Sequence, residues 1–271
     1  MSAVPPESPD PNAAELGDWR ANTVGWITEV DGQPMQPPGI YRQSTMCMTI
    51  AGNVSFFTPS SAALHLNSAW KAARRAVVAR GPVGWNYAPA RFRQIGMAES
   101  ATRQLKEESA SALFDYLEDA MLAATSSFSA IEAFCNTTIV GKSSGPIQVK
   151  RKKAYVAMTS EEVEEFMGTD EKLKRLLPAL LGVPTPAGKA IWDRYKRLKQ
   201  LRDSITHFKR RDLSRAAKAE PTALHDLVEA DPLEFPEIAI EVVRYFFPQD
   251  PPRWLLNPAW GRVPSGGETG G

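Results

Sequence analysis

The feature that most constrains this chain is a run of apolar residues, Leu113, Leu117, Met121, Ala124, Phe128, Ile131 and Cys135, recurring at steps of three and four. That spacing draws one apolar stripe down a long helix beginning after Glu99. About 40 residues at 1.5 Å each span about 60 Å, provided Thr125-Ser126-Ser127 does not kink the rod. Other helices are expected to cover the stripe. Thr159 and Glu162 form a capping box that opens a second helix, ending near Gly168. Residues 170–181 suggest a further short helix, stopped by Gly182 and Pro184. Over 186–210, Ile191, Tyr195, Leu198, Leu201, Ile205 and Phe208 define a buried helical face. Two shorter helices, 222–230 and 235–247, are each bounded by proline.

The first third reads more weakly. Met46, Met48 and Ile50 alternate with polar or small residues, and Gly52-Asn53 offers a turn before Val54 and Phe56, a pattern suited to a hairpin. Residues 60–80 carry Leu64, Trp70, Ala73 and Val77 at helical spacing and stop at Gly81-Pro82. Seven of the 22 prolines precede Gly39 and five lie from Pro248 onward, so both ends are expected to be loose or draped. The expected architecture is mainly α, a helical bundle with an irregular, slightly β N-terminal extension. The expected organisation is a loosely ordered 1–20, an extension of unassigned fold over 21–98, the bundle over 99–247 and a Pro/Gly-rich tail over 248–271.

Several function classes are disfavoured. A net charge of +1 gives no bulk attraction to polyanions, so any basic site must be local. Cys47 and Cys135 have no paired spacing and read as free thiols of a reducing cytosol. The proline-rich N-terminus lacks a signal-peptide pattern, and no apolar run is long enough to span a bilayer, so a cytoplasmic location with no membrane partner is expected. The sequons at Asn53 and Asn136 carry no meaning there. His65, His207 and His225 are scattered, and neither metal nor cofactor is expected. Gly141-Lys142-Ser143-Ser144-Gly145 mimics both a nucleophile elbow and the end of a phosphate loop. An elbow needs a preceding strand, and the loop needs a glycine where Asn136 stands. A helix C-cap at Gly141 and an exposed loop is the better reading. Glu161-Glu162 and Glu164-Glu165 sit at a helix start, where they answer its dipole.

Charge distribution says more. From Lys189 to Arg211 there are nine basic residues (Lys189, Arg194, Lys196, Arg197, Lys199, Arg202, Lys209, Arg210 and Arg211) against Asp193 and Asp203, a local +7 that leaves −6 for the rest. Lys150-Arg151-Lys152-Lys153 adds a second cluster in an expected loop. Such clusters suit a polyanion, although basic helices are also often merely solvated. Within the strip, Arg202 can clamp a phosphate in two places, and His207 carries an imidazole, the side-chain type suited to proton transfer near neutral pH. Those two groups suffice to cut RNA without metal: one moves the 2′-OH proton, the other stabilises charge gathering on phosphorus. Asp203, four residues before His207, could orient the imidazole. Helical geometry raises an objection, because five steps of 100° set Arg202 and His207 about 140° apart. Either local distortion or a two-fold dimer would have to bring them together. Glu132 interrupts an apolar run and, if buried, needs a partner. It reads as a structural pair with an arginine or lysine of a neighbouring helix, or as part of the same cleft.

These residues resemble the HEPN superfamily of helical bundles, many of whose members are metal-independent ribonucleases acting as dimers. Arg202-Asp203-Ser204-Ile205-Thr206-His207 matches its R-x(4–6)-H signature, Phe128 to Asn136 looks like its earlier long helix, and Glu171 to Gly182 resembles its linking helix. The match covers roughly 99–247 and leaves 1–98 unexplained. The resemblance implies catalytic Arg202 and His207, a cleft lined by Asp203, Thr206 and Glu132, and a homodimer. Lys199, Lys209, Arg210 and Arg211 are the expected RNA contacts. The implied reaction is 2′-OH attack on the adjacent phosphate, giving a 2′,3′-cyclic phosphate and a 5′-hydroxyl. Toxin or antiviral-defence roles occur in the family, which would add an antitoxin or regulatory partner. The rival readings are a non-catalytic HEPN-like module that binds nucleotide or protein, and an accidental R-x4-H in a helical interaction protein.

Overall fold

The computed structural model describes residues 18–21, 24–30, 33–81, 91–96, 102–151, 154–207, 222–249, 251–257 and 260. Its contacts separate into two units, Met1–Leu64 with Phe247–Gly271, and His65–Phe246. The chain is mainly α with short antiparallel hairpins.

In the first unit, β1 (Val24–Val30) pairs with β2 (Gln33–Arg42), and β3 (Ser44–Thr49) with β4 (Gly52–Phe57). The second hairpin is the one expected from Met46 to Phe56, but it turns two residues earlier, at Ile50-Ala51. Thr49 Oγ1 donates to the Gly52 carbonyl at 2.9 Å and accepts from Ala51 N at 3.1 Å, closing the turn before Gly52, which takes φ +100°. Met48 and Ile50 are almost wholly exposed on it. Trp260 packs edge-on against both Trp19 and Trp254.

The second unit is built on α2 (Ala110–Lys142), 33 residues or about 50 Å long. The helix starts later than expected from Glu99, because β5 (Phe92–Ile95) and β6 (Thr102–Leu105) pair with each other first. It passes Thr125-Ser126-Ser127 unbroken, with Thr125 Oγ1 bonded back to the Met121 carbonyl at 2.8 Å. The expected stripe is buried from Ala124 to Cys135. Towards the N-terminus the buried face shifts: Tyr116 and Ala120 are enclosed, while Leu113, Leu117 and Met121 are half-buried. Tyr116 is drawn inward by α7 (Ala223–Glu229), since its hydroxyl donates to the terminal carbonyls Leu227 O at 2.6 Å and Ala230 O at 3.2 Å. Burial pushes its phenol up to about 12. The other end of α2 runs past Gly141 to Lys142, where Ser143 caps it through bonds from its N and Oγ to the Ile139 carbonyl.

The loop expected after that cap contains another hairpin, β7 (Ile147–Arg151) and β8 (Ala154–Met158); of the basic cluster, Lys150 and Arg151 belong to β7, and Lys152 and Lys153 lie outside the described residues. The capping box at Thr159 opens α3 (Ser160–Phe166) as the sequence indicates. Next come α4 (Thr169–Glu171), a wider π turn (Lys172–Leu176) and α5 (Leu177–Leu181), which ends at left-handed Gly182. α6 (Ala190–Thr206) buries Tyr195, Leu198, Leu201 and Ile205. α8 (Glu234–Phe246) buries Phe235, Ile238, Ala239, Val242, Val243 and Phe246, and the helices α2, α6 and α8 pack on one another as the core. α1 (Ser61–Arg80) is the helix read over 60–80, but Leu64 and Val77 are exposed, and the buried face is Leu66, Ala69, Trp70, Ala73 and Ala76. Arg75 pairs with Asp119 at 2.6 Å, and Arg80 donates to the Ala230 carbonyl at 3.1 Å. The contacts divide the chain between Leu64 and His65, within α1. No helix among the described residues is long and apolar enough to cross a membrane.

Tyr116→Phe removes the hydroxyl that reaches the Leu227 and Ala230 carbonyls at the end of α7. It should lower unfolding free energy by about 1–2 kcal/mol, read as a lower urea midpoint at unchanged m-value. An unchanged midpoint would show that the hydroxyl does not hold α7.

Candidate functional site

α2 carries Phe128, Glu132 and Asn136 at four-residue steps, one line along the helix. α6 carries Tyr195, Lys199, Arg202 and Thr206 along a second line. The segment Gly168–Leu176 hydrogen-bonds to both helices. From it, Thr169 Oγ1 donates to Glu132 Oε1 at 3.0 Å, and Lys172 Nζ donates to Asn136 Oδ1 at 2.8 Å and to the Glu164 carbonyl at 3.0 Å.

Asp170 is the densest node. Its Oδ1 accepts from the Tyr195 hydroxyl at 2.7 Å and meets Lys199 Nζ at 3.0 Å, while Oδ2 meets Lys196 Nζ at 2.8 Å. Burial alone would raise this carboxyl, but the hydrogen bonds from Lys196, Tyr195 and Lys199 outweigh it and hold the group below its usual range. Tyr195 is raised first by its own burial and then by that carboxylate.

Lys172 is almost fully enclosed, and burial lowers its pKa against the opposing pull of Glu164 and Glu132. Its enclosed ammonium is tolerated because two oxygens receive it. Cys135, also enclosed, has its thiol pushed up by burial. Lys172 opens the π turn, whose extra residue per turn accompanies burial of Lys172, Leu173 and Leu176.

Arg202 sits over the Phe128 ring, with its guanidinium carbon 3.8 Å from the centroid. One terminal nitrogen lies 3.5 Å from Glu132 Oε1 and the other 3.1 Å from Asp203 Oδ1. Its Nε is buried without an acceptor. Glu132 thus has the pairing with a neighbouring-helix arginine that the sequence suggested, and half of its side chain remains exposed. His207 is exposed and caps α6 with φ −130° and ψ 65°, outside helical geometry. Among the described residues its ring meets no side chain, and only its backbone N–H reaches the Asp203 carbonyl, at 3.2 Å. Asp203 therefore contacts Arg202 rather than the imidazole. Thr206 Oγ1 is spent on the Arg202 carbonyl at 2.9 Å. Within one chain Arg202 and His207 make no direct contact.

The cationic strip is largely answered from inside the molecule. Arg194 pairs with Glu241 and Glu234, Arg197 lies 3.9 Å from Glu234, Lys196 and Lys199 share Asp170, and Lys189 stands over the Tyr245 ring. Lys199, expected to contact RNA, is thus already engaged. Lys209, Arg210 and Arg211, expected to do the same, lie outside the described residues, as does Phe208. No cluster of three His, Cys, Asp or Glu fit to hold a metal occurs among the described residues. Sequence reading missed Asn136, Thr169, Asp170 and Lys172; their signal was polar side chains interrupting the apolar positions of α2 and of the segment before Leu173.

No family model matches the chain, and no significant match to it was found among curated proteins or solved structures.

Asp170→Asn leaves Lys196 and Lys199 without their counter-charge and should cost about 2 kcal/mol at pH 7. A carboxylate whose folded-state pKa is depressed stabilises above the unfolded value near 4, and the contribution fades as pH falls through the lower folded value. Urea unfolding should therefore separate wild type from variant at pH 7 and bring them together once the pH falls below the folded-state value. A gap that persists in acid would contradict this account.

Proposed function

We propose that this chain is a metal-independent endoribonuclease, with Arg202 binding the scissile phosphate and His207 acting as acid or base. The observation that carries the reading is the end of α6: a guanidinium fixed in one pose by Glu132, Asp203 and Phe128, followed by an exposed imidazole that has left helical geometry. A preset guanidinium loses little freedom on meeting a phosphorane. Leaving helical φ and ψ frees His207 from the 100° step that otherwise sets it about 140° from Arg202. In this reading the two groups, which do not meet within one chain, are brought together in a homodimer, as the resemblance implies, each α6 end supplying one group. The reaction is 2′-OH attack giving a 2′,3′-cyclic phosphate and a 5′-hydroxyl. The HEPN resemblance adds a toxin or antiviral-defence role with an antitoxin or regulatory partner.

A non-catalytic module that binds nucleotide or protein is the second reading. It is favoured by the pairing of each described α6 cation inside the chain. In that case Arg202 is a structural cation between Glu132 and Phe128.

Labelled RNA incubated with the purified chain in EDTA tests both. His207→Ala should lose at least about 100-fold in rate with the fold intact by circular dichroism. Arg202→Lys, which keeps the charge and lacks the two-pronged fork, should lose a similar factor. Undiminished cleavage by His207→Ala removes the mechanism. No cleavage by wild type, together with destabilisation by Arg202→Ala alone, selects the non-catalytic module.

A further inference from the structure

We propose that the β7–β8 hairpin is a contact surface for single-stranded RNA, with Lys150 on the phosphate backbone and Tyr155 stacked on a base. The inference takes its ligand class from the ribonuclease reading, but binding at the hairpin does not require cleavage.

The sequence isolates this element electrostatically. Between Glu132 and Glu161 there is no acidic residue, while Lys142, Lys150, Arg151, Lys152 and Lys153 give a local +5. Lys142 and Lys150 are exposed and have no ion-pair partner among the described residues, unlike the cations of α6. Lys152 and Lys153 lie outside the described residues.

The register sorts the two faces of the hairpin. Lys150 stands directly opposite Tyr155 and Gln148 opposite Ala157, and all four are exposed. Ile147 opposite Met158 and Val149 opposite Val156 form the other face, where Ile147, Val149 and Met158 are buried. Alternation along a strand thus anchors one face by its apolar residues and turns an ammonium, an amide and a phenol ring outward as neighbours. Tyr155 is 70% exposed, an outlay of aromatic surface that a purely structural hairpin does not need. An aromatic face beside unneutralised cations is the pairing that holds single strands, stacking on unpaired bases while the charges follow the backbone. A duplex offers no such base face. The outward face has no large aliphatic side chain to enter a bilayer, which favours RNA over an anionic membrane.

The test is fluorescence anisotropy with the full chain and a fluorescein-labelled single strand of about 20 nucleotides, longer than one contact site. Complete 2′-O-methylation of the strand blocks attack by the 2′ oxygen. Lys150→Glu should weaken binding about tenfold or more and reduce the salt slope by about 1. Tyr155→Ala should weaken it about fivefold or more. Lys71→Glu, an equal charge change on exposed α1, should bind as wild type. With unmodified RNA, both hairpin variants should raise KM at unchanged kcat. Wild-type affinity in both hairpin variants, no binding by wild type, or binding to phosphatidylserine vesicles in place of RNA would each overturn the proposal. Hairpin-dependent binding without cleavage of unmodified RNA supports this surface and removes only the nuclease reading. Cleavage with KM unmoved in the hairpin variants removes only this surface.

Discussion

The structure depends on how α6 reconciles a buried stripe with a row of positive charge. Tyr195, Leu198, Leu201 and Ile205 need the core, yet Lys196, Lys199 and Arg202 stand beside them on the same helix. Asp170 and Glu132 resolve the conflict by placing carboxylates along the line where those cations approach the core. Neither acid belongs to α6, so the pairing also fixes which elements must adjoin it. Removing Asp170 would leave Lys196 and Lys199 without the carboxylate they share, a larger loss than the net worth of the pairs.

Helix order, the capping box at Thr159, the break at Gly182 and most of the apolar faces of α2 and α6 were legible because each rests on a local rule. Periodicity, caps and turns need no knowledge of distant partners. The failures share a cause. Tyr116 replaces Leu117 in the buried face because its hydroxyl seeks carbonyls more than a hundred residues away. The β7–β8 hairpin was read as a loop because four successive cations hid the short apolar alternation on either side. Most of the polar site was invisible for the same reason: Asp170 and Lys172 make sense only once the helices that receive them are adjacent. Arg202 and Glu132 were legible as candidates, and their meeting confirms a contact rather than a chemistry.

Charge is divided between two surfaces with different consequences. On α6 it is consumed internally and serves architecture, leaving one arginine held near an exposed imidazole at the helix end. On the β7–β8 hairpin Lys150 has no ion-pair partner among the described residues and is turned outward beside the ring of Tyr155. In the functional readings above, substrate capture belongs to the hairpin and bond rearrangement to the helix terminus, so affinity and turnover respond to different residues.

The two thiols have a practical corollary. Cys47 lies open on β3, whereas Cys135 is fully buried on α2, and that burial pushes its thiol up. An alkylating reagent will label the first in the folded chain and the second only when α2 separates from the core. The chain thereby contains its own stopwatch for opening and, in the same polypeptide, the reference against which that stopwatch is read.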